Sequence, residues 1–230
     1  MPLRAVIFDF DGLLVDTEQP SYEAWCEPFA QCGVELALER WLQVVGTHDA
    51  VWDPLTELEQ LTGQRVDREA LTASTEARFR QLADRQPCRP GVLALLDEVR
   101  DAGLPVAVAS SSRHTWVESH LARLGLRDRF DAVIGRDLVG WRGKPDPAVY
   151  LEALRHLGVA GSEAIALEDS TNGVRSAVAA GIPVVAVPNA ITRGLEFEHA
   201  LAVLDSLENV TLADLVELAS PRRRAETDQM

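Results

Sequence analysis

The chain reads as an α/β protein, a doubly wound parallel sheet into which an α-helical domain has been inserted. Three observations predict this. The second half repeats a unit of helix, glycine and short apolar strand. Two acidic pairs, Asp9 with Asp11 and Glu168 with Asp169, each close an apolar run. Residues 16–86 keep helical spacing but offer no convincing strand. Short apolar strands alternating with helices imply parallel pairing, because a parallel neighbour can be reached only through a crossover.

Taken in order, the run Val6-Ile7-Phe8-Asp9-Phe10-Asp11-Gly12 predicts a first buried strand, with Asp9 and Asp11 on one face and Phe8 and Phe10 on the other. In 16–86, Tyr22, Trp25 and Phe29 recur at helical spacing, as do Leu55, Leu58 and Leu61, and Trp25, Trp41 and Trp52 are read as filling a small bundle. Because this insertion leaves the sheet just after the acidic strand, it should cover the strand end as a lid. A helix over 90–102 ends at Gly103 and a strand follows at 104–109. Ser112 is placed as the cap of a helix running to about 124, before a strand at 130–134. Asp146-Pro147 opens a helix to about 157 with proline at its first position, and a strand at 164–167 leads to Glu168-Asp169. A helix at 172–180 and strands at 183–187 and 200–204 complete the sheet. The expected division is a core of 1–15 and 87–220, a helical unit of 16–86 and a disordered tail at 221–230.

Composition narrows the class. At 230 residues with 47% apolar side chains the chain can bury a sizeable core. A formal charge of −14 argues against general nucleic-acid binding, which relies on a basic surface; Arg222, Arg223 and Arg224 are read as part of a solvated tail. Neither a membrane-length apolar stretch nor a secretory leader is apparent, so no membrane is expected and the cytoplasm is the expected location. Cys26, Cys32 and Cys88, odd in number and without metal-type spacing, are read as reduced thiols.

The chemistry follows from where the polar groups fall. In a doubly wound sheet ligands bind at the carboxyl ends of the strands, and Asp9, Asp11, Ser110, Glu168 and Asp169 all fall there. Like charges about 4 Å apart repel by roughly 4 kcal/mol per pair at an effective dielectric near 20, so carboxylates meeting a phosphate call for a divalent cation. All-oxygen ligands without a His or Cys cluster favour Mg²⁺ over zinc. Lys144, in Gly143-Lys144-Pro145-Asp146-Pro147, supplies a further positive charge, while the hydroxyls of Ser110, Ser111 and Ser112 and a helix amino end suit phosphate oxygens.

These motifs, in this order, resemble the haloacid dehalogenase superfamily: Asp9-Phe10-Asp11-Gly12-Leu13-Leu14-Val15-Asp16-Thr17-Glu18, Ser110 after an apolar strand, Lys144-Pro145 and Glu168-Asp169-Ser170. Within it the chain is similar to the beta-phosphoglucomutase-like phosphatases and mutases, which carry a helical cap on a Rossmann-like core; the resemblance spans roughly residues 3–214. It implies that Asp9 attacks phosphorus to give an aspartyl-phosphate and that Asp11 is the general acid and base. It further implies that Mg²⁺ is held by the Asp9 side chain, the Asp11 backbone carbonyl and Asp169, with Glu168 a further ligand or an orienter through water, and that Ser110, Ser111 and Lys144 bind the phosphate.

The expected activity is Mg²⁺-dependent hydrolysis of a small phosphorylated metabolite, a sugar or polyol phosphate ahead of phosphoglycolate. Mutase members carry a histidine soon after the first motif and an arginine in the cap; those places hold Ser21 and approximately His48, which favours hydrolysis. A phosphosugar mutase and a non-catalytic binding module on the same scaffold are the alternatives. Cap candidates for substrate contact are Glu18, Ser21, Thr47, His48 and Arg78. A monomer is expected, with a dimer as the alternative.

Overall fold

The structure, a computed structural model, describes residues 2–43, 45 and 52–220. Its centre is a six-stranded, fully parallel sheet. In chain order the strands are β1 (Ala5–Phe8), β2 (Val106–Ala109), β3 (Ala132–Ile134), β4 (Ala164–Glu168), β5 (Val184–Ala186) and β6 (Ala202–Val203), and in space they lie β3-β2-β1-β4-β5-β6. The first five strands are buried along their whole length, as a sheet covered on both faces requires.

Four helices, α1 (Glu18–Gln31), α2 (Leu38–Trp41), α3 (Pro54–Thr62) and α4 (Arg68–Ala83), follow β1 in the chain and form the insertion. The remainder, α5 (Val92–Asp101), α6 (His114–Arg123), α7 (Ala148–Leu157), α8 (Thr171–Ala179) and α9 (Leu212–Leu218), flank the sheet. Strand alternation sorts the core into two layers. Val6, Phe8, Val106 and Val108 pack with Leu95 and Val99 of α5, Leu121 of α6 and Leu215 of α9. Ala5, Ile7, Ala107 and Ala109 face the other way, onto Val149, Tyr150 and Ala153 of α7 and Val174 of α8. Each fully buried Leu, Val or Phe withdraws apolar surface worth roughly 1.5–3 kcal/mol, so both layers are needed to offset the ordering of the chain.

A third cluster forms around Phe29, Leu36, Trp41, Val45 and Leu58 of the segment after β1, joined by Ile191 from the loop after β5, with Tyr22, Trp25 and Trp52 packed against it. Helices α3 and α4 start on Asp53 and Asp67, whose carboxylates accept from the amides of Thr56 at 3.0 Å and Ala70 at 3.0 Å. Helix α1 packs along α4. The three cysteines are unpaired, and among the described residues no helix is long and apolar enough to cross a membrane.

Several predicted boundaries move. Strand β1 stops at Phe8, although the Asp9 amide still donates to Leu167 O at 2.9 Å, so Asp11 lies beyond the ladder and strand alternation does not set its direction. Helix α6 begins at His114 rather than after Ser112: the Ser112 amide is taken by Ser110 Oγ at 2.9 Å and the His114 amide by Asp137 at 2.6 Å. Helix α7 begins at Ala148, whose amide is held by Asp146 Oδ1 at 2.8 Å, which leaves Pro147 just outside it. The predicted tail, 221–230, lies outside the described residues.

Candidate active site

The strand order reverses beside β1: the chain runs outward through β2 and β3, then returns to place β4 on the other side of β1. The crevice of a doubly wound sheet opens at such a point, beyond the carboxyl ends of the strands. Here it receives Asp9 from β1 and Glu168 and Asp169 from β4. All three are buried, and each places an oxygen within 4.8 Å of the other two.

Lys144, itself buried, reaches into this group from the loop before α7. Its Nζ donates to Asp9 Oδ1 and, at 2.5 Å, to Glu168 Oε1. Burial opposes the ammonium charge, but Asp9 and Glu168 overcome it and hold Lys144 above its ordinary range. For Asp9 the balance runs the other way. Burial, followed by the charge of Glu168, pushes its carboxyl well above the usual carboxylate range, and burial with Asp9 does the same to Asp169. With oxygens no more than 4.8 Å apart and an effective dielectric near 20, one ionised pair repels by at least about 3.5 kcal/mol.

Glu168 is the most heavily hydrogen-bonded of the three. Its Oε1 also accepts from Tyr150 Oη at 2.6 Å, and Oε2 accepts from the Asp169 amide at 3.1 Å, the Ser170 amide at 3.4 Å and Ser170 Oγ at 3.3 Å. A methyl group at Gly173, in the first turn of α8, would overlap this carboxylate. Glu168 therefore orients Lys144 and the turn that follows β4.

Asp11 has a different environment. Its Oδ1 accepts from Thr17 Oγ1 at 3.1 Å and Trp116 Nε1 at 3.0 Å, and its Oδ2 accepts from Ser110 Oγ at 3.0 Å. Two of these partners are hydroxyls, which can turn to donate or to accept, so the setting accommodates the carboxyl with or without its proton. Thr17 stands at the start of α1 without capping it, because its hydroxyl is committed to Asp11.

Asp169 is fixed by Asn189, whose Nδ2 donates to Oδ2 at 2.7 Å. Gly12 passes directly beneath it at φ +82°, where a side chain would be strained and a Cβ would overlap the Asp169 carboxylate. Arg89, just before α5, ties this corner together by donating to the carbonyls of Gly12 at 2.5 Å, Val187 at 3.0 Å and Pro188 at 2.8 Å.

A cavity opens above these groups, between the sheet edge and the helices inserted after β1. Its lining brings together Asp9, Asp11, Ser110, Ser111, Lys144 and Asp169 from below with Glu18, Ser21, Trp41 and Phe79 from above. Ser111 also accepts from the Lys144 amide at 3.0 Å, joining the serine loop to the lysine loop. Glu18 is raised to about 8, first by burial and then by Asp11 and Asp16. Trp41 belongs to the bundle cluster and to the cavity wall, so the bundle-core reading describes half of its surroundings.

Arg78 is corrected by the structure. It turns away from the cavity to pair with Glu27 at 2.6 Å and Gln81 at 2.7 Å, and its neighbour Phe79 takes the inward position. Thr47 and His48 lie outside the described residues. The amino end of α6 is corrected too, because its first amide is already bound by Asp137. Thr17, Trp116, Tyr150, Phe79 and Asn189 were not singled out from the sequence as site residues. A position just past a strand could have pointed to Asn189; the other four are set by packing between segments distant in the chain.

The donor set fits a hard divalent cation. Oxygen atoms alone converge, the carboxylates are crowded beyond what Lys144 neutralises, and Asp9 and Asp169 point at one place.

A profile of haloacid dehalogenase-like hydrolases matches residues 3–181. The chain is 40% identical over 215 residues to YhcW of Bacillus subtilis, a protein with a phosphatase designation, across 94% of this chain and 97% of that one. It is 32% identical to hexitol phosphatase B of Escherichia coli, over 93% of this chain and 97% of the other. Among solved structures it superposes on CbbY of Rhodobacter sphaeroides, in complex with xylulose-(1,5)bisphosphate, with a TM-score of 0.73 and 30% identity, over 93% of this chain and 99% of that one.

Proposed function

The chain belongs to the haloacid dehalogenase-like hydrolases and is a phosphatase by kinship, and on that premise we propose that it hydrolyses a small phosphorylated sugar or polyol through an aspartyl-phosphate on Asp9. One observation carries the mechanism. Asp9 and Asp11, two residues apart, stand in opposite settings: Asp9 faces Lys144 and the acidic group, while Asp11 is turned aside by three donors. That difference in partners suits Asp9 as the nucleophile, once a cation beside Lys144 offsets the burial and the Glu168 charge that favour its neutral form, and Asp11 as the group that moves the proton.

Asp9 and Asp169, with the Asp11 backbone carbonyl, would hold Mg²⁺, and Glu168 would act behind them as an orienter. Bound there, the ion supplies positive charge against the crowded carboxylates and the incoming phosphate oxygens. Asp9 attacks phosphorus while Lys144 and the hydroxyls of Ser110 and Ser111 bind the phosphoryl oxygens. Asp11 gives its proton to the departing alkoxide oxygen, then takes a proton from the water that attacks the aspartyl-phosphate. Thr17 and Ser110 keep its carboxyl in reach of both steps. The helices of 16–86 act as a cap over the reaction, with Glu18 and Ser21 available to substrate hydroxyls. The names of hexitol phosphatase B and of the CbbY complex support the sugar or polyol class.

The test is a panel of phosphorylated sugars, polyols, phosphoglycolate and nucleotides, ranked by kcat/KM with and without Mg²⁺. A sugar or polyol phosphate should rank first, phosphate release should require Mg²⁺, and Asp9→Asn should abolish it. An isomerised phosphosugar appearing faster than free phosphate would favour a mutase instead.

A further inference from the structure

We infer that Trp116 is a positioning residue for Asp11, and that Phe79 of the cap helix α4 holds it in place. The inference rests on the reading of Asp11 as the acid and base. Trp116 projects from the first turn of α6 and its indole N–H donates to Asp11 Oδ1 at 3.0 Å. This is the one partner of Asp11 that donates without being able to accept, since Thr17 and Ser110 are hydroxyls. The indole thus assigns the two oxygens different roles. Oδ1 is pinned as an acceptor, and Oδ2, bonded to Ser110 Oγ, is left as the oxygen that can carry the transferable proton. In a free carboxyl either oxygen can take the proton, and rotation of the group can carry it away from the leaving group.

The ring is fixed from two sides. His120, one turn along α6 and buried, meets the indole edge-on with ring centroids 4.1 Å apart. Phe79 stacks on it with centroids 5.3 Å apart and planes 26° apart. Phe79 also lines the cavity. One of the two supports of the orienting ring is therefore supplied by α4, which couples the geometry of the acid to the covering of the sheet edge.

The experiment compares two esters: an alkyl phosphate taken from the best sugar or polyol substrate, and p-nitrophenyl phosphate, whose leaving group needs no proton. Trp116→Phe keeps an aromatic ring against Phe79 and His120 but deletes the N–H. Replacing Trp116 by 3-benzothienylalanine exchanges that N–H for sulfur at nearly constant shape and serves if the phenylalanine variant is poorly folded. In either variant kcat/KM for the alkyl ester should fall at least about tenfold, with less than about threefold loss on the aryl ester. Phe79→Ala should shift the same ratio in the same direction by a smaller factor. Equal losses on both esters, or none on either, would overturn the inference. Asp11→Asn is run in parallel: if it too fails to discriminate between the esters, the reading of Asp11 as acid has failed. If it discriminates and the Trp116 variants do not, only the role of Trp116 has failed.

Discussion

Replacing Asp169 by Asn separates the electrostatics of the acidic group from the fold. Asp169 repels both Asp9 and Glu168, and with oxygens no more than 4.8 Å apart each ionised pair costs at least about 3.5 kcal/mol at an effective dielectric near 20. Two effects reduce the gain from removing its charge: attraction to Lys144 is lost, and the bond from Asn189 exchanges a charged acceptor for a neutral one. The expected net result in EDTA is a stabilisation of about 1–3 kcal/mol, a rise in Tm of roughly 2–10 °C for a chain of this size. Added Mg²⁺ should reverse the order. The parent gains stability by mass action, about 2.7 kcal/mol at a concentration one hundred times Kd, whereas Asp169→Asn should gain less than a third of that. Scanning calorimetry in EDTA and across a Mg²⁺ titration gives both numbers. A variant destabilised in EDTA, with a Mg²⁺ response equal to that of the parent, would refute the placement of Asp169 among mutually repelling ligands.

Glu18 gives a prediction in pH. Its carboxyl is raised from 4.5 to about 8 by burial, then by Asp11 and Asp16, so the folded state favours its protonated form. That stability is full below pH 4.5 and is lost as pH rises through 8. Glu18→Gln should therefore match the parent near pH 4.5 and exceed it increasingly above, by an amount on the order of 4 kcal/mol at pH 8 in EDTA; parallel urea midpoints from pH 5 to 8 would contradict this. Tyr150→Phe removes one donor from buried Glu168 and should cost about 1.5–3 kcal/mol in urea unfolding, with a change below 0.5 kcal/mol counting against the bond. Gly173→Ala forces a methyl group onto the Glu168 carboxylate and should lower both Tm and kcat; an unchanged kcat would show that Glu168 need not stay where it is.

The sheet was legible because its strands are short apolar runs, three of them closed by Asp9, Gly135 and Glu168, and burial on both faces demands that composition. Asp9, Asp169, Lys144 and Ser110 stood out because they lie at strand ends or in a proline-bounded loop, and topology brings such positions together. Their partners were hidden for the opposite reason. Tyr150 and Trp116 lie within helices, where an aromatic residue reads as core, and only the packing of α7 and α6 in three dimensions turns their polar atoms towards Glu168 and Asp11. Helix starts were misread where local side chains outcompeted the expected cap: Ser112 loses its capping place because Ser110 and Asp137 take the amides on either side of Arg113. Arg78 was misplaced by one residue of helical rotation, about 100°, which is enough to exchange it with Phe79 at the cavity wall.

The central claim is that Asp9 becomes phosphorylated during turnover. A single turnover of radiolabelled substrate with Mg²⁺, quenched in acid and followed by peptide mapping, measures it directly. Label should appear transiently on the peptide containing Asp9, should persist longer in Asp11→Asn than in the parent, and should be missing from Asp9→Asn. Phosphate released at full rate without label ever reaching that peptide would contradict the account.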